Sequence, residues 1–598
     1  MKKLLPVLLI LFVVLQLSCG KQPEKAASTS KPAEYKDPFP IPADAQRMDV
    51  TGVHGGRLVT ATLADFPTFN TLTYVDDSGQ LLNQLMNPGL TELSLETQEP
   101  FPALAKSWDL SEDRLTWTFH LRQGLVWSDG QPFNADDVIF TMQVVNDPRI
   151  SSGSRDALLG GKIQWSRIDD FTVQAKLPRI FVPLLHSLDG GTCAIIPKHK
   201  WESVYKQGKF EEAMQVSMDV KDYVTIGPYM IKSYKPAESI TLVRNPRYWR
   251  IDKNGRRLPY LDEITFLIMP TQDQVFLKIQ SGELDTFYSV RAEDVEPLQA
   301  KAASIGMKVI KVGPAYDFEG LWFNLNTGRN AKGKPFVDPA KESWFQDVNF
   351  RKAVSYAINR DALVQNALFG KGVPSWGPES VGNVKWYNPA ITKYPYDPAK
   401  ALELLKASGF TQKTDSLGKA LLYDKKGNPV RFSLHTNSEN SIRKTKCTLI
   451  ASDLAKIGMQ VEYSPLEFTN LSTRITKTFD YDAILLGLSH DDVDPSGGNN
   501  VWRSSGSLHF WWPGQKKPAT EWEKRIDQLM ELQQNTYDFA ERKKYYDEVQ
   551  MILTDKLPMI YTATPVIYVC AKEKLGNLQP SIARHRTLWN LYELYWMP

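Results

Sequence analysis

The sequence predicts an α/β fold, because segments with strand periodicity alternate with segments with helix periodicity along the 598 residues. Residues 115–121 alternate apolar and polar side chains, which is typical of a half-buried strand. Residues 350–358 carry apolar side chains at helical spacing. Residues 481–488 contain a short apolar run, as expected for a strand that is buried on both faces. At roughly 100–200 residues per domain, the chain has room for several such units.

The composition is that of a globular protein with balanced charge. Hydrophobic residues make up 42% of the chain, and 71 basic against 68 acidic residues give a formal net charge of +3. A balance this close argues against the strongly basic surface of a nucleic-acid-binding protein, so we expect no nucleic-acid partner. The 16 tryptophans weakly favour a binding cleft, because indole rings stack well on ligands and are costly to bury completely.

The first residues predict an export signal. Lys2 and Lys3 precede an apolar stretch at 4–17, which is shorter than the about 20 residues that span a bilayer. The stretch ends in Leu-Gln-Leu-Ser-Cys at 15–19, which resembles a bacterial lipobox. This resemblance implies that residues 1–18 are a signal peptide and that Cys19 is lipidated and holds the protein at a membrane. A plain secretory signal is the alternative, because Gln16 stands where the motif usually has leucine.

A disordered tether is predicted behind the signal, at residues 19–50. Residues 20–42 are rich in lysine, proline, alanine, serine, threonine and glutamate. Such a segment has almost nothing to bury, so it cannot offset the entropy of folding. We therefore expect the folded part to begin near Gly55.

The remaining cysteines are Cys193, Cys447 and Cys570. An exported protein can form one disulfide from three cysteines and leave one thiol free. The odd number and the wide spacing favour three buried thiols instead.

Local capping patterns mark several helices. Asn134 resembles a helix start, and Asp397 with Pro398 forms a second start that is closed by Gly409. A late amphipathic helix stops before Pro558. The other elements predicted in chain order are strands at 240–243, 264–268 and 320–325 and a helix at 274–281.

The stretch at 479–512 is the main candidate for a binding site. The predicted strand at 481–488 is followed by a polar loop, and tryptophans come shortly after the loop. A buried strand that delivers acids and aromatic rings to one loop is typical of a ligand site on a rigid scaffold. The alternative is a solvated acidic turn beside core tryptophans. The candidate ligand-binding residues are His490, Asp491, Asp494, Trp502, Trp511 and Trp512.

Four groups of short motifs follow one another along the chain. They are Pro-Ala-Leu-Ala-Lys-Ser-Trp at 102–108 with its continuation through 115–124, 128–130 and 135–138; Ile-Gly-Pro-Tyr at 226–229 with Val-Arg-Asn-Pro-Arg-Tyr-Trp at 243–249; Ser-Gly-Glu-Leu-Asp at 281–285; and Phe-Arg-Lys-Ala-Val-Ser-Tyr-Ala-Ile-Asn-Arg at 350–360. Each is weak alone, but the series covers nearly all of the chain from 55 to 564. Together they resemble the extracellular solute-binding proteins of the peptide/nickel class of bacterial ABC importers.

The resemblance implies a type II periplasmic binding protein fold, with two α/β lobes and a ligand cleft between them. The implied first lobe comprises 51–75, 226–315 and 559–598, with an extra sub-domain at 76–225. The implied second lobe comprises 316–558, and the chain crosses between lobes near Ala315 and Pro558. The resemblance also implies a monomer without a cofactor, exported and anchored to the membrane, that delivers its ligand to an ABC permease and ATPase complex.

Asp491 is implied as the main charged anchor of a peptide ligand. In peptide-binding members, a strand ending in Gly-Trp leads to an aspartate that holds the peptide ammonium group, and Asp491 has the matching place after Gly487. A partly desolvated carboxylate pairs well with an ammonium group, and contacts to the peptide backbone tolerate varied side chains. Leu488 replaces the usual tryptophan. An oligosaccharide, bound by stacking on aromatic rings, therefore stays open as the ligand.

Two other functions are weighed against binding. Asp491 and Asp494 could act as the carboxylate pair of a glycosidase, but no nucleophile elbow or phosphate loop occurs to support an enzyme. His490, Asp491, Asp492 and Asp494, with His509 nearby, offer donors for a divalent cation or a nickel chelate. We expect a binding protein, with no catalytic residues and no resident metal.

Overall fold

Two large hydrophobic cores organise the described part of the chain. The computed structural model describes residues 36–73, 77–488, 493–583 and 585–598. The first core uses residues from Leu58 to Phe266 and again from Ala571 to Leu594. The second core uses residues from Phe318 to Ala563. We call the parts built around these cores lobe 1 and lobe 2. The predicted signal peptide, Cys19, His490, Asp491 and Asp492 lie outside the described residues.

Strands occur along the whole described chain. In chain order they are β1 (Gln46–Arg47), β2 (Arg57–Thr62), β3 (Thr91–Leu93), β4 (Pro100–Pro102), β5 (Ala105–Leu110), β6 (Thr116–Leu121), β7 (Gln164–Asp169), β8 (Thr172–Lys176), β9 (Tyr229–Lys235), β10 (Ser239–Arg244), β11 (Arg250–Ile251), β12 (Glu263–Ile268), β13 (Thr286–Phe287), β14 (Met307–Pro314), β15 (Phe318–Phe323), β16 (Gly372–Pro374), β17 (Thr411–Thr414), β18 (Ala420–Tyr423), β19 (Arg431–His435), β20 (Gln460–Tyr463), β21 (Ala483–Leu488), β22 (Met559–Tyr561), β23 (Ala563–Lys572), β24 (Leu575–Gly576) and β25 (Tyr595–Trp596).

Helices are interspersed with the strands. In chain order they are α1 (Asp77–Met86), α2 (Ala135–Asn146), α3 (Gly153–Ala157), α4 (Leu184–Ser187), α5 (Lys198–Lys206), α6 (Gln272–Gln280), α7 (Val295–Ala302), α8 (Pro339–Gln346), α9 (Val348–Ala357), α10 (Arg360–Ala367), α11 (Pro398–Ala407), α12 (Ser441–Lys456), α13 (Phe468–Thr473), α14 (Asn499–Trp502), α15 (Glu521–Asn535) and α16 (Phe539–Lys556). This mixture confirms the predicted α/β class.

Lobe 1 contains a mixed sheet and an antiparallel sheet. The mixed sheet has the order β2-β12-β10-β9, with β2 parallel to β12. The antiparallel sheet has the order β5-β6-β8-β7. Along β6 the side chains alternate between the core and a half-exposed face, with Trp117, Phe119 and Leu121 inside. This confirms the half-buried strand that the sequence predicts there.

The predicted helix starts are confirmed by their caps. Asn134 caps α2 and forms a capping box with Asp137, whose carboxylate accepts the Asn134 backbone N–H. Asp397 caps α11, where its carboxylate accepts Lys400 N, and Pro398 is the first helical residue. Both helices start where the sequence places them because capping needs only residues within one turn.

Lobe 2 is built on a five-stranded sheet with the order β20-β19-β21-β15-β22. Ala483, Ile484 and Leu485 of β21 are fully buried, because β21 lies between β19 and β15. The rest of β21, from Leu486 to Leu488, is half-buried. The sequence is therefore right that a buried strand enters the loop after Leu488, although the end of the strand emerges from the core.

The chain passes between the sheets of the two lobes at two places. The first passage lies between β14 and β15, near the predicted Ala315. The second lies between β22 and β23, at Thr562 rather than near Pro558. The prediction misses this by a few residues because β22 still pairs with β15 of lobe 2, with Tyr561 opposite Gly320.

The segment from Asp37 to Val50 is folded onto lobe 1, which corrects the last part of the tether predicted over 19–50, whereas residues 19–35 lie outside the described residues. Its strand β1 pairs in parallel with β11. Asp37 Oδ1 accepts Arg257 Nε at 2.9 Å, and Arg257 Nη2 also donates to the carbonyl of Pro40 at 2.7 Å. A polar segment is ordered here because distant residues satisfy its backbone groups, which composition does not reveal.

The three cysteines in the described part are free and buried, as the sequence favours. Burial raises the pKa of the Cys193 and Cys570 thiols to about 12. These thiols therefore stay protonated and unreactive at neutral pH. Among the helices of the described residues, none is both long and apolar enough to span a bilayer.

Candidate functional site

A cavity of about 150 Å³ opens where β15 and β21 emerge from the lobe 2 sheet. Phe318 and Glu319 of β15 face Leu488 and Gly487 of β21 across the strand pair. The N-terminal turn of α12 and the start of β23 complete the walls. The cavity therefore lies at the end of the strand from which the sequence predicts a ligand loop, beside both passages between the lobes.

A buried charge network forms one wall of this cavity. Glu319 Oε1 accepts Lys446 Nζ at 2.6 Å, and its Oε2 accepts Arg443 Nε at 3.1 Å. Burial alone would raise the pKa of Glu319, but the two cations outweigh it and hold that pKa below its ordinary value. One carboxylate therefore pairs with two cations in this cluster, and Asp317 adds a second acid to the lining of the cavity.

The guanidinium of Arg443 lies at the cavity. Its Nη1 donates to Asn437 Oδ1 at 3.1 Å, whereas Nη2 has no partner among the described residues. A Cβ on Gly487 would lie 2.7 Å from Nη2, so only glycine leaves room for the guanidinium there. Asn440 caps α12 and accepts Arg443 N at 2.9 Å, which fixes the start of the helix beside the cavity.

Asp494 has a different partner from the one the sequence predicts. Its side chain is 2% exposed, and its two oxygens accept Arg542 Nη2 at 2.9 and 2.8 Å. Oδ1 also accepts Ser496 N at 2.9 Å and caps the short helical turn at Pro495–Gly498. Burial raises the pKa of Asp494, but Arg542 outweighs it and the net shift is downward. Asp494 anchors the end of the loop to α16, so it is a structural residue.

Trp502 and Trp511 are core residues, which corrects their prediction as stacking groups for a ligand. They are 2% and 0% exposed, and their rings stack on each other at 6.4 Å. Trp502 also packs on Phe318 at 5.3 Å, so Phe318 is the aromatic ring of this stack that lines the cavity. Trp512 is half-buried against the lobe 2 core, and its role at a ligand stays a prediction.

The predicted metal donors are not brought together within the described residues. His509 is buried, with Nδ1 3.0 Å from the carbonyl of Val501 and Nε2 3.4 Å from Glu523 Oε1. No group of three or more histidine, cysteine, aspartate or glutamate side chains in the described ranges could hold a metal ion. His490, Asp491 and Asp492 lie outside those ranges.

Lobe 1 meets lobe 2 close to the cavity. Leu95 and Ile582 pack against Tyr316, Val493 and Ala583. Gln98 Nε2 donates to the Tyr316 hydroxyl at 2.8 Å, and Lys385 Nζ of lobe 2 pairs with Glu99 of lobe 1 at 2.6 Å. These contacts join the lobes at Val493, which in the sequence lies between the predicted ligand residues Asp491 and Asp494.

Sequence reasoning missed Phe318, Glu319, Arg443 and Lys446. One sign was available, since Glu319 is a lone acid in the otherwise apolar strand β15. Arg443 and Lys446 lie three residues apart, on one face of α12. Nothing in the sequence shows that these two elements meet.

A family model of bacterial extracellular solute-binding proteins, family 5, matches residues 99–509 of this chain. This chain belongs to that family. It is therefore a solute-binding protein of the transport class and not an enzyme, and the glycosidase alternative is dropped. The pairing of Asp494 with Arg542 is consistent with dropping the glycosidase alternative, because that carboxylate is not available for catalysis.

Relatives of this solute-binding protein extend over nearly its full length. A probable ABC transporter-binding protein from Deinococcus radiodurans is 27% identical over 583 residues, which cover 93% of each chain. Among solved structures, the oligopeptide-binding protein AppA from Bacillus subtilis, in complex with a nonapeptide, has a TM-score of 0.70 at 23% identity. That likeness covers 92% of this chain and 100% of AppA.

A second solved structure binds a sugar. The periplasmic binding protein MelB from Agrobacterium fabrum, in complex with stachyose, has a TM-score of 0.73 at 22% identity and covers 92% of this chain and 86% of its own. These likenesses confirm the two-lobe periplasmic binding protein fold.

Proposed function

We propose that this protein is the substrate-binding lipoprotein of an ABC importer, and that it captures oligopeptides between its lobes for a membrane permease. Arg443 is the observation that carries the choice of ligand. Its Nη2, which has no partner among the described residues, lies at the cavity at the start of α12, where the helix dipole also favours an anion. The loop after β21 contains Asp491, a carboxylate for an ammonium group. A guanidinium and a carboxylate suit the two charged ends of a peptide, and we expect Asp491 to act together with Arg443.

Oligosaccharides are the second candidate. Phe318 lines the cavity, and Leu488 stands where peptide-binding members have tryptophan, so the cleft differs from the usual peptide site. MelB, which binds stachyose, has the same fold. Against a sugar, the cavity is lined by the cations Arg443 and Lys446 and the acids Glu319 and Asp317, and a neutral ligand does not need such charges.

A thermal-shift screen tests the choice of ligand. A ligand at a hundredfold excess over its Kd should raise the free energy of unfolding by about 2.7 kcal/mol, because it binds only the folded protein. We expect peptides with two free ends to raise the Tm, and their N-acetylated and C-amidated forms to raise it less. An oligosaccharide panel and nickel with histidine serve as comparisons. A Tm rise with oligosaccharides alone would identify oligosaccharides as the ligand. The absence of a Tm rise with every panel would contradict both the peptide and the oligosaccharide proposals.

Lipidation of Cys19 is tested by fractionation. We expect the Cys19→Ser protein to move from the membrane fraction to the soluble fraction, because the acyl chains on Cys19 hold the mature protein at the membrane. Ser28→Thr, behind the lipobox in the predicted tether, serves as a matched control and should stay in the membrane fraction. A Cys19→Ser protein that remains membrane-bound would show that the lipobox assignment is wrong.

A further inference from the structure

A segment of lobe 2 contacts lobe 1 at a place separate from the two chain passages. It comprises residues 534–537, at the end of α15 and in the linker to α16, and we call it the latch. The helices on both sides of the latch pack in the lobe 2 core, whereas Tyr537 packs against the lobe 1 core. The latch therefore bridges the two lobes without being part of either passage.

The ring of Tyr537 contacts two side chains of lobe 1. The Trp117 indole of β6 lies 6.4 Å from it, measured between ring centroids, and the Arg114 guanidinium lies 5.1 Å from the centroid of the Tyr537 ring. Trp117 is buried, and Arg114 is exposed. Aromatic pairs and cation–π contacts both stabilise such an arrangement, so the Tyr537 ring stabilises the contact between the lobes.

Two hydrogen bonds accompany the aromatic contact. The backbone N–H of Val182 in lobe 1 donates to the Gln534 carbonyl at 2.9 Å, and Arg179 Nη1 donates to Asn535 Oδ1 at 2.7 Å. An N–H···O hydrogen bond needs its donor and acceptor within about 3.2 Å of each other. Both bonds therefore exist only while the lobes are together, and they break when the lobes separate.

The latch is also connected to the end of the predicted ligand loop. Gln533 comes directly before the latch, and its carbonyl accepts Arg542 Nε at 2.8 Å while its Oε1 accepts Arg542 Nη2 at 2.8 Å. The same Nη2 holds Asp494. Gln533 Nε2 also donates to Ser496 Oγ at 3.0 Å. The position of the latch is therefore tied to that of the loop end through one arginine and one glutamine.

We propose that the latch holds the lobes closed and that Tyr537 is its main contact. Its contacts are between protein groups, so they form with or without a ligand, and the ligand-free protein populates the closed arrangement. The consequence for transport rests on the proposed function. A ligand between the lobes leaves after the latch has opened, so the latch lowers the dissociation rate of the ligand.

Double electron–electron resonance on the ligand-free protein tests the proposal. Spin labels at Lys209→Cys of lobe 1 and Lys544→Cys of α16, both exposed positions, report the distance between the lobes in the Cys19→Ser protein after dialysis. The three buried cysteines do not take up the label, because burial raises the pKa of their thiols. We expect the distance of the closed arrangement to be populated. Tyr537→Ala should lower the ratio of closed to open protein about fivefold or more, because it removes the contacts to Trp117 and Arg114.

Further variants separate the latch from a general loss of packing. Tyr537→Phe keeps the ring and should behave like the unchanged latch. Tyr545→Ala removes a ring of α16 that packs on the lobe 2 core, and it is the matched control that should leave the ratio as it is. Arg179→Ala removes the hydrogen bond to Asn535 and should also lower the ratio, which provides a second variant if Tyr537→Ala folds poorly.

Two outcomes would overturn the latch. One is a protein with the unchanged latch that lacks the closed distance, and the other is an unchanged ratio in both Tyr537→Ala and Arg179→Ala. The measurement uses no ligand, so it is independent of the proposed function. A failure of peptides to raise the Tm would contradict peptide binding without altering the ratio of closed to open protein.

Discussion

Replacing Asp494 by asparagine should lower the free energy of unfolding of lobe 2 by about 3–5 kcal/mol, because it leaves a buried guanidinium without its counter-charge. Arg542 is 5% exposed, and its Nη2 contacts both oxygens of Asp494. Urea denaturation followed by circular dichroism measures the change. The double variant Asp494→Leu with Arg542→Met should recover most of the loss, because it removes both charges together.

The matched control is an exposed ion pair that joins α16 to the neighbouring helix α15. Arg525 of α15 and Glu548 of α16 pair at 2.7 Å in contact with solvent. Glu548→Gln should cost at most about 1 kcal/mol, because water screens an exposed pair. Equal losses for Asp494→Asn and Glu548→Gln would contradict the structural role of Asp494.

The same ion pair gives the stability a pH dependence with a definite sign. The pKa of Asp494 is lower in the folded protein than in the unfolded chain, because Arg542 outweighs the effect of burial. The unfolded chain therefore takes up this proton first as the pH falls. The contribution of Asp494 is fully present above the unfolded pKa and is lost as the pH falls through the folded pKa. Acid unfolding of the double variant should lack this component.

Replacing Asp491 by asparagine should weaken peptide binding by about thirtyfold or more, since losing one partner of a buried charge pair costs about 2–5 kcal/mol. The proposed partner is the peptide ammonium group, so N-acetylation of the peptide should cause the same loss in the unchanged protein. Calorimetric titration measures the affinity of the Asp491→Asn protein for the free peptide and of the unchanged protein for the N-acetylated peptide. Asp492→Asn is the matched control and should change the affinity little.

The aromatic variants separate this result from sugar binding. If the ligand is a saccharide, Asp491→Asn should leave its affinity nearly unchanged. The larger loss of affinity should come from Phe318→Ala or Trp512→Ala, because Phe318 lines the cavity and Trp512 is half-buried. Trp502→Ala and Trp511→Ala do not test stacking on a ligand, because both rings belong to the core and their loss should mainly reduce stability. An unchanged affinity for N-acetylated peptide would contradict the ammonium anchor.

Local features of this protein could be predicted from the sequence, because their causes lie within a few residues. The alternation in β6, the capping box at Asn134 and the start of α11 at Asp397 each depend on neighbours within one or two turns. The family could be predicted too, since it is carried by short motifs that stay contiguous in the chain. The match over residues 99–509 confirms that prediction.

What the tertiary structure decided was which side chains meet. Asp494 looked like a ligand residue until the fold brought Arg542, 48 positions away, into contact with it. Glu319 and Lys446 are 127 positions apart, and Arg257 is 220 positions from the Asp37 that it orders. Periodicity and composition record what one residue prefers, whereas a charge pair depends on where two distant parts of the chain end up.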